Sequence, residues 1–588
     1  MPPLARTHGA QVQEDGTTRF ALWAPDCREV TVELVSNALH PLQAQADGWF
    51  VGTCECPAGT GYRFVIDGHL RVPDPASQAQ LDDVHGFSQV VDHRAYPWRH
   101  AEWQGRPWHE SVLYELHVGL FGGYAGVEQH LPLLAGLGIT AIELMPLAEF
   151  PGSRNWGYDG VLPFAPESSY GTPEQLKSLI DSAHGLGLMV FVDVVYNHFG
   201  PDGNYLGNYS RDFFRSDVQT PWGAAIDFRR RQVRDYFCEN ALMWLLDYRV
   251  DGLRLDAVHA IGEPDFLVEL ASRVHAAVEP GRHVHLVLEN EDNNARLLQQ
   301  GFTAQWNDDG HNVLHALLTG EREGYYGDFA DDATAKLARC LGEGFIYQGQ
   351  NSRHGCARGE PSAHLPPTAF VLFLQNHDQV GNRAFGERLI ELADEDALRA
   401  ATALLLLSPM VPLLFMGEEW GARQPFLFFT DHHAELADLV RIGRRNEFAD
   451  FALYADAEVR ETIPDPNAPA TFARSQLPEN LSSQVEHQNW HALYQQLLDL
   501  RHRLIIPRLP GARALKSEVL AEGAVSAQWT LGDRSLLRID LNLSASNVWV
   551  SPPPTSAAVI FVWGVDSAGY QLGTLPARSV AVSLEAAP

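Results

Sequence analysis

The chain has 588 residues, more than one core can serve, so two to four domains are expected. Hydrophobic residues make up 45% and charged residues 20%, the balance of an ordinary globular protein rather than a disordered one. A formal net charge of −31 repels phosphate backbones and anionic membrane surfaces, which disfavours nucleic acid as a partner and leaves a neutral or cationic substrate.

The first residues, Met1 to Gly16, carry no apolar core of signal-peptide length. No apolar run reaches the roughly 18 residues of a spanning helix; the longest, Ala403 to Met416, is broken by Ser408, Pro409 and Pro412. The six cysteines are scattered at 27, 54, 56, 238, 340 and 356, without a CxxC or a paired Cys/His spacing. A reduced cytoplasmic protein with no metal and no cofactor is the expectation.

Residues 18 to 92 read as all-β. Thr18 to Pro25, Val30 to Val35, Trp49 to Val51 and Tyr62 to Ile66 follow strand patterns, with turns at Asp47-Gly48 and Asp67-Gly68. The expected N-terminal domain is an immunoglobulin-like β-sandwich over 1–96. A linker over 97–110 follows, with three tryptophans and two prolines that need something to pack on.

From Ser111 short apolar strands alternate with amphipathic helices. Strands are expected at Val112 to Val118, Thr140 to Met145, Leu188 to Val195, Asp251 to Asp256, His285 to Glu289, Thr303 to Trp306, Ala369 to Leu374 and Val411 to Met416. Helices are expected at Val127 to Leu137, Pro173 to Leu186, Arg231 to Tyr248, Pro264 to Val278, Asp292 to Gln299 and His491 to Leu504. Eight such units favour a closed (β/α)8 barrel of the TIM type over 111–506, with an excursion at about 198–230. After residue 507 the texture returns to β, as in Val525 to Trp529 and Ala558 to Trp563, so a C-terminal β-sandwich over 507–588 completes a multidomain chain.

In such a barrel the reactive groups sit where strands end. The third strand ends in Asp193-Val194-Val195-Tyr196-Asn197-His198 and the fourth in Arg254-Leu255-Asp256-Ala257-Val258-His259. The fifth ends in Glu289-Asn290 and the seventh is followed by Asn376-His377-Asp378. One acid at a strand end is commonly a helix cap; four strands in register ending in charge are harder to explain that way. Arg254 and Asp256 lie two apart and share a face, so the guanidinium holds the carboxylate ionised and aimed, as a nucleophile requires. Converging carboxyls drive one another's pKa apart and so separate acid from base. Two carboxylates with an aromatic platform, here Asn155-Trp156-Gly157-Tyr158-Asp159, are the equipment of glycoside cleavage.

On these four motifs, in this order, the chain resembles the alpha-amylase superfamily of retaining glycoside hydrolases. The resemblance implies Asp256 as nucleophile, Glu289 as general acid/base and Asp378 as the carboxylate that holds the reacting sugar. It also implies Arg254, His198, His377 and Tyr158 around the attacked ring, with Asp193 in support and Trp156 and His259 beside them. Where relatives often carry a lysine-histidine pair after the nucleophile, Val258-His259-Ala260 stands here.

Phe20 to Pro25 resembles the N-terminal sandwich of the superfamily's branching, debranching and trehalose-releasing members. Thr220 to Gly223, Gln305 to Asp308, Tyr347 to Gln350, Phe373 to Arg383 and Pro412 to Ala422 resemble the trehalose-releasing group. That resemblance implies maltooligosyltrehalose as substrate, trehalose as product and a second enzyme that makes the substrate. Trp222, Asp308, Glu418 and the His311 region are the candidates for the leaving-group side, and Asp227 stands where an asparagine is expected. A glycogen branching enzyme, an isoamylase-type debranching enzyme and a catalytically inactive glycan-binding protein are the alternatives.

Overall fold

The computed structural model of the chain describes residues 6–220, 223–353, 355–449, 451–478 and 480–587. Eight parallel strands close a barrel, here β1 (Leu113–Leu116), β2 (Ala141–Leu144), β3 (Met189–Val194), β4 (Gly252–Leu255), β5 (His285–Leu288), β6 (Ala304–Trp306), β7 (Phe370–Phe373) and β8 (Val411–Phe415). Each is short, mostly apolar and buried on both faces, as strands wrapped by helices must be. Their ends fall on the expected bounds or one to two residues inside them.

Two antiparallel sheets precede the barrel. One pairs Gly9–Val12, Thr18–Trp23, Trp49–Cys54 and Gln43–Ala44; the other pairs Leu39–Pro41, Val30–Leu34, Gly61–Ile66 and Leu70–Val72. Their alternating apolar residues, among them Phe20, Leu22, Phe50, Val32 and Phe64, share one core. The excursion after β3 holds a one-turn helix, Leu206–Tyr209, and a hairpin of Phe214–Thr220 with Gly223–Ile226. After the barrel, Arg513–Ala521, Ala524–Thr530, Leu536–Asn542, Ser579–Glu585 and Ala557–Trp563 form one antiparallel sheet in that spatial order. A short pair, Val548–Trp549 with Thr574–Leu575, lies beside it.

Most expected helices are present. Pro173–Gly185 opens with a full capping box, Thr172 with Gln175, behind a proline at its first turn. Arg231–Leu242 is α-helical and then widens into a π-turn, Met243–Asp247. The last barrel helix, Val485–Leu500, starts six residues before the expected His491. One expectation is corrected: Asp292 to Gln299 is no helix beyond a single turn at Leu297–Gln299. The Asn290 side chain accepts the Asp292 N–H at 3.1 Å, and Asn293 sits at φ 50°. Such Asx contacts compete with helical hydrogen bonds.

The barrel lumen is filled, not open. Leu113, Ala141, Met189, Phe191, Val287, Ala304, Trp306, Val371, Phe373, Val411 and Leu413 form its plug. The tryptophan-rich linker closes the lower end. Trp103 and Trp108 pack on this plug, and Trp103 donates its indole N–H to Asp251 at 2.8 Å. The Asp251 carboxylate, fully buried, also accepts the Val190 N–H at 2.9 Å and faces His184 Nε2 at 3.0 Å.

Replacing Asp251 with Ala strips three buried donors of their shared acceptor at once. The expected cost is about 3–5 kcal/mol, the range for breaking a buried pair by one partner. Urea unfolding followed by tryptophan fluorescence measures it, and a loss below about 1 kcal/mol would show that the linker does not pin the barrel.

Candidate active site

Strand alternation turns Glu115, Glu143, Asp193 and Arg254 inward from β1, β2, β3 and β4, so a charged layer lies directly above the apolar plug. Arg254 is its hub. The guanidinium is fully buried and lies 4.3 Å over the Trp306 ring. Its Nη1 donates to Asp193 at 2.9 and 3.0 Å and to Asp256 at 2.6 Å. Nη2 lies 3.9 Å from Glu289 Oε2. Asn197 donates its amide to the Asp256 carboxylate and to the Asp256 carbonyl, both at 2.9 Å.

The backbone then turns sharply. Ala257 adopts φ 40°, a left-handed conformation that an alanine pays about 1 kcal/mol to hold. The turn aims the Ala257 N–H at Glu289 Oε2, 2.5 Å away, and so ties the acid after β5 to the acid after β4. Strain of this kind, held by its surroundings, marks functional turns.

The two carboxyls are driven in opposite directions. Burial raises the Asp256 carboxyl, but Arg254, His198 and Asn197 together outweigh it and hold Asp256 below the ordinary range. Burial raises Glu289, and the charges of Asp256 and Asp378 add to it against Arg254, so Glu289 sits above its ordinary value. The Asp256 and Glu289 side chains are 13% and 17% exposed, while Asp378 is 48% exposed. Asn382 donates to Asp378 at 3.1 Å.

Tyr158 and His377 form one wall. The Tyr158 ring stacks on His377 at 5.0 Å and donates its hydroxyl to Asp193 at 2.6 Å. His198 Nε2 lies 3.0 Å from the Tyr158 carbonyl. His259 Nδ1 accepts the Glu291 N–H at 3.3 Å, which places His259 beside the strand end that carries Glu289. Asp308 is the first residue of the helix Asp308–Thr319, whose cap is Asn307, so Asp308 is not itself the cap. Burial and the nearby Glu289 push its carboxyl well up.

Several sequence expectations need correction. Trp156 is 4% exposed, stacked on Phe426 with its indole N–H on the Leu427 carbonyl, so it backs His377 instead of facing a sugar. Arg254 and Asp193 lie under the cleft floor and bear on a ligand through Asp256 and Tyr158. Glu418 is buried, accepting the Phe415 N–H and the Tyr494 hydroxyl. His311 is fully buried against Phe373. Neither reaches the leaving-group side. Trp222 lies outside the described residues. Asp227 is nearly buried and closes its own turn on Arg229 at 2.7 and 2.8 Å.

Other groups escaped the sequence reading. Glu115, beneath His377, is signalled only by being an acid that interrupts an otherwise apolar barrel strand, as Glu143 and Asp193 also do. Asn197 lay inside a motif but carried no assigned role. Tyr325, 62% exposed, stands at the rim within electrostatic reach of Asp378 and Glu291. Among the described residues no group of three His, Cys, Asp or Glu side chains is arranged to hold a metal ion.

Comparison with known proteins follows the same lines. The family described as "Alpha amylase, catalytic domain" matches residues 94–221, and a domain of unknown function, DUF3459, matches 512–582. The malto-oligosyltrehalose trehalohydrolase of Deinococcus radiodurans is 41% identical over 85% of this chain and 83% of its own length. That of Rhizobium sp. strain M-11 is 38% identical over 98% of this chain and all of its own. A crystal structure of a Salmonella typhimurium protein, 43% identical, superposes with a TM-score of 0.93 over 99% of this chain and 100% of that one.

Replacing Arg254 with Met leaves Asp193 and Asp256 buried without their counter-charge. Asp256 then rises above the unfolded value and Asp193, which burial already lifts to about 7, rises further, so the variant gains stability as pH falls and loses it as pH rises toward those raised values. Thermal unfolding from pH 8 to pH 5 is expected to narrow the gap to wild type, from about 3–5 kcal/mol at the alkaline end. A gap that stays constant with pH would remove Arg254 as the electrostatic hub.

Proposed function

The chain belongs to the malto-oligosyltrehalose trehalohydrolases of the alpha-amylase superfamily, and from that premise we infer how its cleft works. It is a glycosidase that hydrolyses the α-1,4 bond next to the terminal trehalose of maltooligosyltrehalose, with retention. The observation that carries the assignment of residues is the opposite drive on Asp256 and Glu289 around one buried guanidinium.

In this reading Asp256 attacks the anomeric carbon while Glu289 gives its proton to the glycosidic oxygen, and trehalose departs. The bond to trehalose breaks as the ester to Asp256 forms. Water then gives a proton to Glu289 and its oxygen to the anomeric carbon, the ester breaks, and a shortened maltooligosaccharide leaves with its configuration retained. Retention calls for carboxyls about 5–5.5 Å apart. Asp378, the most exposed of the three acids, grips the hydroxyls of the attacked ring, with Tyr158, His198 and His377 as the wall of that subsite. Asp308 and His259, on the side of Glu289, face the departing trehalose, and Trp222 joins them on sequence grounds.

The substrate must come from a second enzyme that converts the reducing end of a glucan into trehalose. All six cysteines are free thiols, which supports residence in the reducing cytoplasm. A branching enzyme would need the same acids, and the comparisons over nearly the whole chain favour hydrolysis. A binding protein has no use for two acids tuned apart.

Three measurements test this reading. Asp256→Asn is expected to lower kcat by roughly 10⁴-fold or more with KM little changed; substantial turnover would exclude Asp256 as nucleophile. The kcat/KM profile is expected to be bell-shaped, its acidic limb below the ordinary 3.8 of Asp256 and its alkaline limb above the 4.5 of Glu289. Incubated with maltotriosyltrehalose, the enzyme is expected to release free trehalose and to cut maltopentaose slowly; equal attack on both would make it a general α-1,4-glucanase.

A further inference from the structure

Glu115 interrupts the otherwise apolar β1 and lies 1% exposed at the top of the barrel plug. Its two oxygens both serve one residue on the far side of the barrel seam. Oε1 is 2.6 Å from His377 Nδ1, and Oε2 accepts the His377 backbone N–H at 3.0 Å. The carbonyl of Glu115 is itself held, accepting the Met416 N–H at 3.0 Å just past β8. The imidazole has no freedom to turn: Tyr158 stacks on one face at 5.0 Å, and Trp156 meets it edge-on at 5.7 Å. With Nδ1–H committed to a carboxylate, Nε2 is the nitrogen left over; the side chain is 2% exposed, and Nε2 lies 3.5 Å from Oδ1 of the half-exposed Asp378.

We propose that Glu115 is a positioning residue that fixes His377 as a doubly protonated ring, so that Nε2–H is a charged donor to the substrate beside Asp378. This rests on the reading of the cleft as a glycosidase subsite. A titratable or charged group faces that ring from each packed element, although burial pushes the Glu143 carboxyl well up and lowers His117 to about 4, so both favour their neutral forms. Glu115 comes from β1, Glu143 from β2, Asp193 from β3, Arg254 from β4, His117 from the turn after β1, and Asp378 from the ring's own loop. Burial disfavours the imidazolium, yet Asp378 and Glu115 overcome it and Arg254 together, raising His377 to about 9. A charged donor suits a neutral sugar hydroxyl, since hydrogen bonds from ions are about twice as strong as neutral ones.

The experiment uses the full chain labelled with ¹⁵N-histidine, with His377→Gln identifying the His377 signals by difference. In wild type the ring is expected to remain imidazolium at pH 8. In Glu115→Gln, which keeps the shape and removes the charge, it is expected to be neutral by about pH 7. The variant's kcat/KM on maltotriosyltrehalose should fall about 10–100-fold at pH 8. The deficit should shrink to within about threefold at pH 5.5, where an ordinary histidine is protonated again. A His377 already neutral in wild type at pH 7.5 overturns the proposal, and needs no variant to fold. So does a deficit of equal size at both pH values, which a purely structural role predicts. The histidine signal reports on Glu115 whether or not the wild type cleaves this substrate, so the two readings fail separately.

Discussion

A guanidinium enclosed by protein is the constraint on which the site is built. Arg254 is fully buried, and an isolated cation there would cost several kcal/mol. Its position is tolerable only because Asp193, Asp256 and the face of Trp306 surround it. The same contacts hold Asp256 ionised and oriented, so the stability of the layer and the readiness of the carboxylate come from one arrangement. Tyr158 is drawn in through Asp193, which fixes one wall of the cleft to the same hub.

The layer stays in place because of what lies under and around it. Below, the apolar plug offers no alternative partner, so the charged groups can pair only with one another. Beside it, Asp309, fully buried at the start of the helix after β6, accepts from Asn293, from the Ile346 and Tyr347 N–H groups and from Arg358. Arg358 in turn donates to the Glu291 carbonyl. The segment that follows Glu289, which the sequence suggests is helical, is thereby held as an ordered loop. Its irregular backbone is the means by which Glu289 is kept against the Ala257 N–H.

Three acids in one pocket differ because their surroundings differ. Asp256 has a cation and an amide, Glu289 has one backbone N–H and two nearby negative charges, and Asp378 is half open to solvent. The surroundings therefore favour the charged form of Asp256 and make proton binding easier on Glu289 than on an ordinary glutamate. This is the separation that a double displacement needs, and it arises from position rather than from residue type.

How far the residues alone determine the protein follows from the range of each interaction. The barrel, the antiparallel sheets on either side and the four charged strand ends were legible, because period-two alternation decides which side chains face inward from local order alone. Asp193, Arg254 and Asp256 are neighbours across adjacent strands, so strand order brought them together in prospect. Contacts between distant elements were not legible. Glu115 and His377 are 262 positions apart and meet only when β1 closes against the far strands. Trp156, Glu418 and His311 carried the right chemistry for a cleft, but packing turned them into its support, since burial depends on what the rest of the chain lays over a side chain. The Asx turn that replaces the helix at Asp292 depends on side chains anchored from β6 and the loop beyond it. Residue order is enough to name the groups able to do the chemistry; which of them touch follows from folding, because pairing across a closed barrel is set by closure and not by spacing.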